Sequence, residues 1–185
     1  MAAPSDEELM LAYAGGDAGA FDRLYARHRG PLYRLVLRSV RSSAEAEELY
    51  QEIWIKVIEA RDRYVVTAKF TTWLYTVAHH RLIDYWRRRG LATVPVANEE
   101  GEMLVEARAG PFDEPERVVE ARQTVAAFQE ALAALPPAQR EAFLLHHEGE
   151  LSVAEIAAAT GTNEEAAKSR LRYAMEKLRK ALGDG

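Results

Sequence analysis

Apolar residues return along this chain at three- and four-residue intervals, the spacing of one helix face, and almost nowhere at the two-residue interval of a half-buried strand. Ser5 with Glu8 makes a capping-box start, Leu9, Leu11, Ala12 and Tyr13 follow it, and Gly15-Gly16 closes the helix before Asp17 opens the next. Phe21, Leu24, Tyr25 and His28 share a face of that second helix. Gly30-Pro31 predicts a break, with a separate helix carrying Leu32, Leu35 and Val36 as far as Val40. Ser42 with Glu45 caps a helix running to about Ala60, with Leu49, Ile53, Val57 and Ala60 turned inward. Between Leu91 and Pro115 the periodicity dissolves into acids, glycines and prolines. It resumes with Val118, Val119, Val125, Phe128, Ala131, Leu132 and Leu135, after which Pro136-Pro137 ends one helix and starts another reaching about His147. The expected architecture is all-α: a domain over 1–90, a flexible acidic linker over 91–115, and a second domain over 116–185.

The end of the chain has the most specific local pattern. Ser152 with Glu155 and Thr162 with Glu165 read as two capping boxes ten residues apart, so two helix starts are separated by only a tight turn. Ala157 permits a close helix crossing, and Gly161 supplies the positive φ that a sharp turn demands. This is helix-turn-helix spacing. Ile156, Ala167 and Leu171 fall on its inner side, leaving Lys168, Ser169, Arg172 and Tyr173 on the outer side of the second helix. An ordinary αα-hairpin with a solvated basic face is the plainer alternative.

Charge changes the picture only once it is divided by segment. The formal net charge is -5, an unpromising average for a nucleic-acid partner. Yet residues 61–90 hold seven Lys or Arg against two acids, and 161–185 hold six against four, whereas 91–120 hold two against eight. Screening over about 8–10 Å makes the local balance the one that a partner feels. With no cysteine in the chain, disulfides, thiolate metal sites and cysteine nucleophiles are excluded. An acidic first stretch and the lack of any long apolar run predict a cytoplasmic protein.

Two further stretches carry candidate chemistry. Residues 63–89 crowd two Trp, three Tyr and one Phe beside Arg81, Arg87, Arg88 and Arg89, as a platform for stacked bases requires and as a packed core also would. On a wheel starting at Trp73, Leu74, Val77, Ala78, Leu82 and Tyr85 cluster on one side and are assigned to packing, while Tyr75, His79, Ile83 and Trp86 are too many large groups for one small domain to hide easily and predict an external partner for some of them. In the helix ending near Ala60, Glu45, Glu48, Glu52 and Glu59 form a narrow like-charged arc that a basic partner would relieve.

Four motifs, in order, then carry a resemblance: GDxxAFxxLYxRH over 16–28, AEELYQEIWIKV over 46–57, FTTWLYTVAHHRLID over 70–84, and LPPAQREAFLL with the helix-turn-helix. Together they resemble the bacterial extracytoplasmic-function sigma factors, which keep only the second and fourth conserved regions of the sigma-70 family. The resemblance implies a protein, not an enzyme and without a cofactor or metal, that binds core RNA polymerase and directs it to promoters. It implies docking of Glu47, Glu48, Gln51 and Glu52 on the β′ coiled coil, with β-subunit contact besides. It implies opening of the minus-ten element by Lys56, Tyr64, Phe70, Trp73 and His80 with Arg87 and Arg88 on phosphates. It further implies minus-thirty-five recognition by Lys168, Ser169, Arg172 and Tyr173 with Arg140 nearby, and an anti-sigma protein as a usual partner. Two positions depart from the family pattern: His79-His80 stand where Arg-Asn is usual, and Ala166-Ala167 where Thr-Val is usual.

Two other readings compete. A conventional helix-turn-helix regulator shares the C-terminal pattern, though it ordinarily binds duplex as a symmetric dimer without polymerase. A metal hydrolase using His79-His80 or His146-His147 is disfavoured because adjacent helical residues point about 100° apart.

Overall fold

A computed structural model describes residues 2–90 and 116–183, with side chains from 122 onward in the second stretch. All the described regular structure is helical: α1 (Asp6–Ala14), α2 (Ala18–Ser39), α3 (Ser43–Ala60), a 3-10 turn at Arg61–Arg63, α4 (Phe70–Arg88), α5 (Glu116–Ala134), α6 (Pro137–His147), α7 (Val153–Thr160) and α8 (Glu164–Ala181). The expected linker, 91–115, lies outside the described residues.

Local chemistry explains most boundaries. The Ser5 hydroxyl accepts from the Glu8 amide at 3.2 Å while the Glu8 carboxylate accepts from the Ser5 amide at 2.7 Å, completing the capping box of α1. Asp17 caps α2 and Ser42 caps α3. The break expected at Gly30-Pro31 does not occur, because α2 runs unbroken through Pro31. Helical conformation before proline is disfavoured largely by a clash with the preceding Cβ, and Gly30 has none. Leu24, Leu32, Leu35 and Val36, all fully buried, anchor the helix on both sides of the proline.

α1–α4 enclose Leu9, Met10, Leu24, Leu35, Ile53, Val57, Phe70, Leu74 and Leu82, and α5–α8 enclose Leu132, Phe143, Leu144, Ile156, Ala167, Ala174 and Leu178. The two groups also pack on each other, α4 against α7 and α2 against α5 and α6. This resolves the crowded face of α4. Tyr75, only 1% exposed, lies against the turn at Gly149, where an added Cβ would come within 2.9 Å of its ring. Trp86, equally hidden, donates from its indole nitrogen to the Ser39 carbonyl oxygen on α2 at 3.2 Å. Their expected external partner is therefore corrected: the chain itself covers them.

Candidate nucleic-acid interface

The helix-turn-helix pair is α7 and α8. Ser152 and Glu155 form the capping box of α7, and Gly161 ends it at φ 64°, a left-handed conformation that only glycine adopts cheaply. The Thr162 amide donates to the Ala157 carbonyl oxygen at 3.0 Å, tightening the turn. The second helix starts one residue later than expected: Asn163, not Thr162, is its cap, accepting from the Ala166 amide at 2.8 Å, and no Thr162–Glu165 box forms. Asn caps at least as well as Thr, so the shift follows ordinary preference. Ile156 and Ala167 are buried and Leu171 is partly buried on the inner side, as the spacing predicted. Lys168, Arg172 and Tyr173 are exposed and Ser169 half-buried on the outer side, the Arg172 guanidinium 4.9 Å from the Tyr173 ring centre.

Arg140 needs correction as a DNA contact. Its Nε donates to the Leu132 carbonyl oxygen at 3.1 Å, and its Nη2 donates to those of Ala133 at 2.7 Å and Leu135 at 2.9 Å. It closes the C-terminal end of α5 from inside the fold, and burial pulls its pKa below the ordinary arginine value.

In the first helical group, Tyr64, Phe70 and Trp73 meet as one aromatic cluster. Tyr64 lies edge-on to Trp73 at 5.1 Å and Phe70 is tilted against Trp73 at 5.7 Å, with His28 behind Phe70 at 5.3 Å. The Phe70 amide, at the uncapped start of α4, donates to Glu7 of α1 at 2.6 Å. Phe70 is fully buried and Tyr64 nearly so, which corrects both as contacts offered at the surface: their rings support Trp73, the one member only partly buried. The exposed residues of the adjoining turn are Val65, Val66, Thr67, Ala68 and Lys69, which the sequence reading passed over although two valines beside a lysine outside any helix were visible there. His80, Arg87 and Arg88 are exposed along α4, while Lys56 is exposed and paired with Glu59 at 2.8 Å.

The acidic arc of α3 divides. Glu45 binds the Tyr85 hydroxyl at 2.8 Å and pairs with Arg89, and Lys56 holds the Glu59 carboxyl below its usual range. Two of the four acids thus have internal cations. Glu47, Glu48 and Gln51 stay exposed and Glu52 half-exposed, with Ile55 and Ile58 also exposed on this helix, two apolar positions off its inward face that the sequence reading did not single out.

The geometry defines an all-helical protein with a helix-turn-helix at one end and an acidic helix and an aromatic–basic segment at the other. Comparison agrees: residues 24–91 match the family model for sigma-70 region 2, and residues 126–178 match that for sigma-70 region 4. RNA polymerase sigma factor CarQ of Myxococcus xanthus is 32% identical over 95% of this chain and 96% of its own length. The ECF RNA polymerase sigma factor SigM of Mycobacterium tuberculosis is 30% identical over 97% of this chain and 85% of its own length. Among solved structures, CnrH in complex with the cytosolic domain of CnrY has the same fold at 22% identity, with a TM-score of 0.70 over 97% of each chain. So does the sigma factor RpoE with the anti-sigma factor NepR from Bartonella quintana, at 22% identity and a TM-score of 0.65 over 88% of this chain and 96% of that one. The chain belongs to the sigma-70 family of RNA polymerase sigma factors, in its extracytoplasmic-function group. Members of that family are transcription initiation factors.

Proposed function

We propose that this protein joins core RNA polymerase through α3, opens promoter DNA with α4 and the turn before it, and reads upstream duplex with α8. The observation that carries the proposal is the presence in one chain of both sigma regions, with Glu47, Glu48 and Gln51 exposed on α3, His80, Arg87 and Arg88 on α4, and Lys168, Arg172 and Tyr173 on α8. Glu47, Glu48, Gln51 and Glu52 dock on the β′ coiled coil, where a basic partner relieves the repulsion among them. At the minus-ten element Trp73 stacks on an unpaired base, His80 and Lys56 flank it, and Arg87 and Arg88 hold phosphates. Base stacking worth about 1–3 kcal/mol offsets much of the few kcal/mol that extruding one base requires. At the minus-thirty-five element Lys168 and Arg172, one helical turn apart, face the major groove with Ser169 and Tyr173.

The region 1–90 acts as the polymerase and minus-ten domain and 116–185 as the duplex reader. The protein works without catalysis of its own, in the cytoplasm, with an anti-sigma protein among its partners; no helix of the described residues is long and apolar enough to cross a membrane. The conventional-regulator reading is not favoured, since it leaves the region-2 match without a role. Purified protein should bind core polymerase in a pull-down and start transcription at a promoter of its own regulon. Folded protein that fails to bind core overturns the proposal.

A further inference from the structure

A helix leaves its first amides without partners inside it, and most of the described helices meet that need locally. Ser5, Asp17, Ser42, Ser152 and Asn163 cap α1, α2, α3, α7 and α8 with their own side chains, and α6 starts on Pro137, which has no amide to satisfy. α4 is different. Lys69, the residue before it, makes no side-chain cap, and the Phe70 amide donates instead at 2.6 Å to Glu7 of α1, 63 residues away in the chain. A carboxylate at that end also suits the dipole of α4.

α1 is itself held firmly in place. Leu9 and Met10 anchor it in the core. Asp6, next to Glu7, accepts from Arg27 at 2.8 Å and meets His28 Nε2 at 2.8 Å, and the His28 ring lies against Phe70 at 5.3 Å. At the other end of α1 the Arg61 guanidinium sits 5.4 Å from the centre of the Tyr13 ring. Arg61 opens the 3-10 turn and Phe70 starts α4, so α1 holds both ends of the segment that carries exposed Val65, Val66 and Lys69. The Trp73 amide donates to the Lys69 carbonyl oxygen at 3.2 Å, closing the first turn of α4. Fraying at the start of α4 would therefore release Trp73 together with the turn. α1 lies outside residues 24–91, the stretch matched to sigma-70 region 2, and no role falls to it from that match.

We propose that Glu7 is a positioning residue for the opening of DNA: from α1 it caps α4 and holds the turn 64–69 and Trp73 in the arrangement that receives an unpaired base. Half-buried on α1, it acts through the Phe70 amide rather than on the strand. Ordering this segment before the strand arrives removes a cost that binding would otherwise bear. The proposal rests on the strand-facing role of Trp73 for its consequence, and on geometry alone for the cap.

Glu7→Met and Glu7→Gln isolate the hydrogen bond, because both remove the charge at nearly constant size and only glutamine keeps an oxygen acceptor. Glu8→Gln removes a charge from the same turn while keeping the capping box of α1, and serves as the control. The cap is read without DNA or polymerase, by amide hydrogen exchange in the full chain. Phe70 should exchange at least about fivefold faster in Glu7→Met than in Glu7→Gln, the shift expected from one helix cap, with Leu82 farther along α4 alike in both. In holoenzyme on a promoter of its own regulon, permanganate reactivity of the opened strand should fall about fivefold in Glu7→Met. It should stay within about twofold of the parent in Glu7→Gln and Glu8→Gln, with core polymerase pull-down the same in all four proteins. Equal exchange at Phe70 in the two Glu7 variants, or acceleration at Leu82 as large as at Phe70, overturns the cap. Faster exchange with undiminished opening overturns the positioning role, and so does core binding that falls as far as opening, since a general loss of fold lowers both. A parent that binds no core polymerase overturns the sigma-factor reading and this consequence with it, while the exchange result still decides the cap.

Discussion

Arg140 carries a guanidinium into the C-terminal helices and is kept there by three carbonyl oxygens at the end of α5. Arg140→Ala leaves those acceptors without a donor. It should lower stability by about 2–3 kcal/mol, measured by urea denaturation, while DNA affinity per folded molecule stays within about twofold. Lys69 and Glu155 make a different residue-scale prediction. The Lys69 hydrogen bond holds the Glu155 carboxyl below its ordinary 4.5, and the Glu155 hydrogen bond raises the Lys69 ammonium above its ordinary 10.5. The pair's contribution should be full between those two values, fading below 4.5 as pH falls through the depressed Glu155 pKa and above 10.5 as pH rises through the raised Lys69 pKa. A double-mutant cycle of Lys69→Met and Glu155→Gln should show coupling at pH 7 that is lost as pH falls through the depressed Glu155 pKa.

At the scale of elements, α3 and α8 each divide into a buried side that folds and an outer side that binds. Changing Glu48 and Glu52 to Lys leaves Leu49, Ile53 and Val57 in place, so polymerase pull-down should fall at least tenfold with the melting temperature little changed. Trp73→Ala should do the reverse, impairing strand opening in a permanganate assay more than polymerase binding. On α8, Arg172→Ala should weaken duplex binding and, if its contact is to a phosphate, flatten the slope of log affinity against log salt by about one unit. A base-edge role would instead relax sequence preference with the slope unchanged. The start of α8 at Asn163 shows why such boundaries escape a sequence by a residue: Thr162 and Asn163 both cap acceptably, and the turn closed by Gly161 and Ala157 selects the second. The persistence of α2 through Pro31 is of the same kind, because burial on either side outweighs a local breaker.

Across the whole molecule, the packing of α2 and α4 on α5, α6 and α7 makes the two helical groups thermodynamically coupled. Calorimetry of the parent should give one cooperative transition. Glu148→Lys, which turns the ion pairs of Glu148 with Arg34 and Arg38 into repulsion, should split it or lower the ratio of van't Hoff to calorimetric enthalpy.

The helical class, the cap residues, the inward faces of α3 and α8 and the helix-turn-helix follow from the sequence, because each depends on neighbours within about four positions or on a period of 3.6. The motifs that mark the family are local in the same sense, which is why sigma regions 2 and 4 are legible in the sequence. Tertiary structure decided which aromatic and charged residues remain available. Trp73 and Phe70 share one hydrophobic motif, yet only Trp73 keeps a free surface, since His28 and Tyr64 close over Phe70 from other elements. Arg140 and Arg172 look alike in the sequence, but one faces the end of α5 and the other solvent. Arg34 and Arg38 meet Glu148 across more than a hundred residues, a pairing that no local pattern encodes. The chain's own fold, through such long-range contacts, selects which of its many cations and rings are left for DNA.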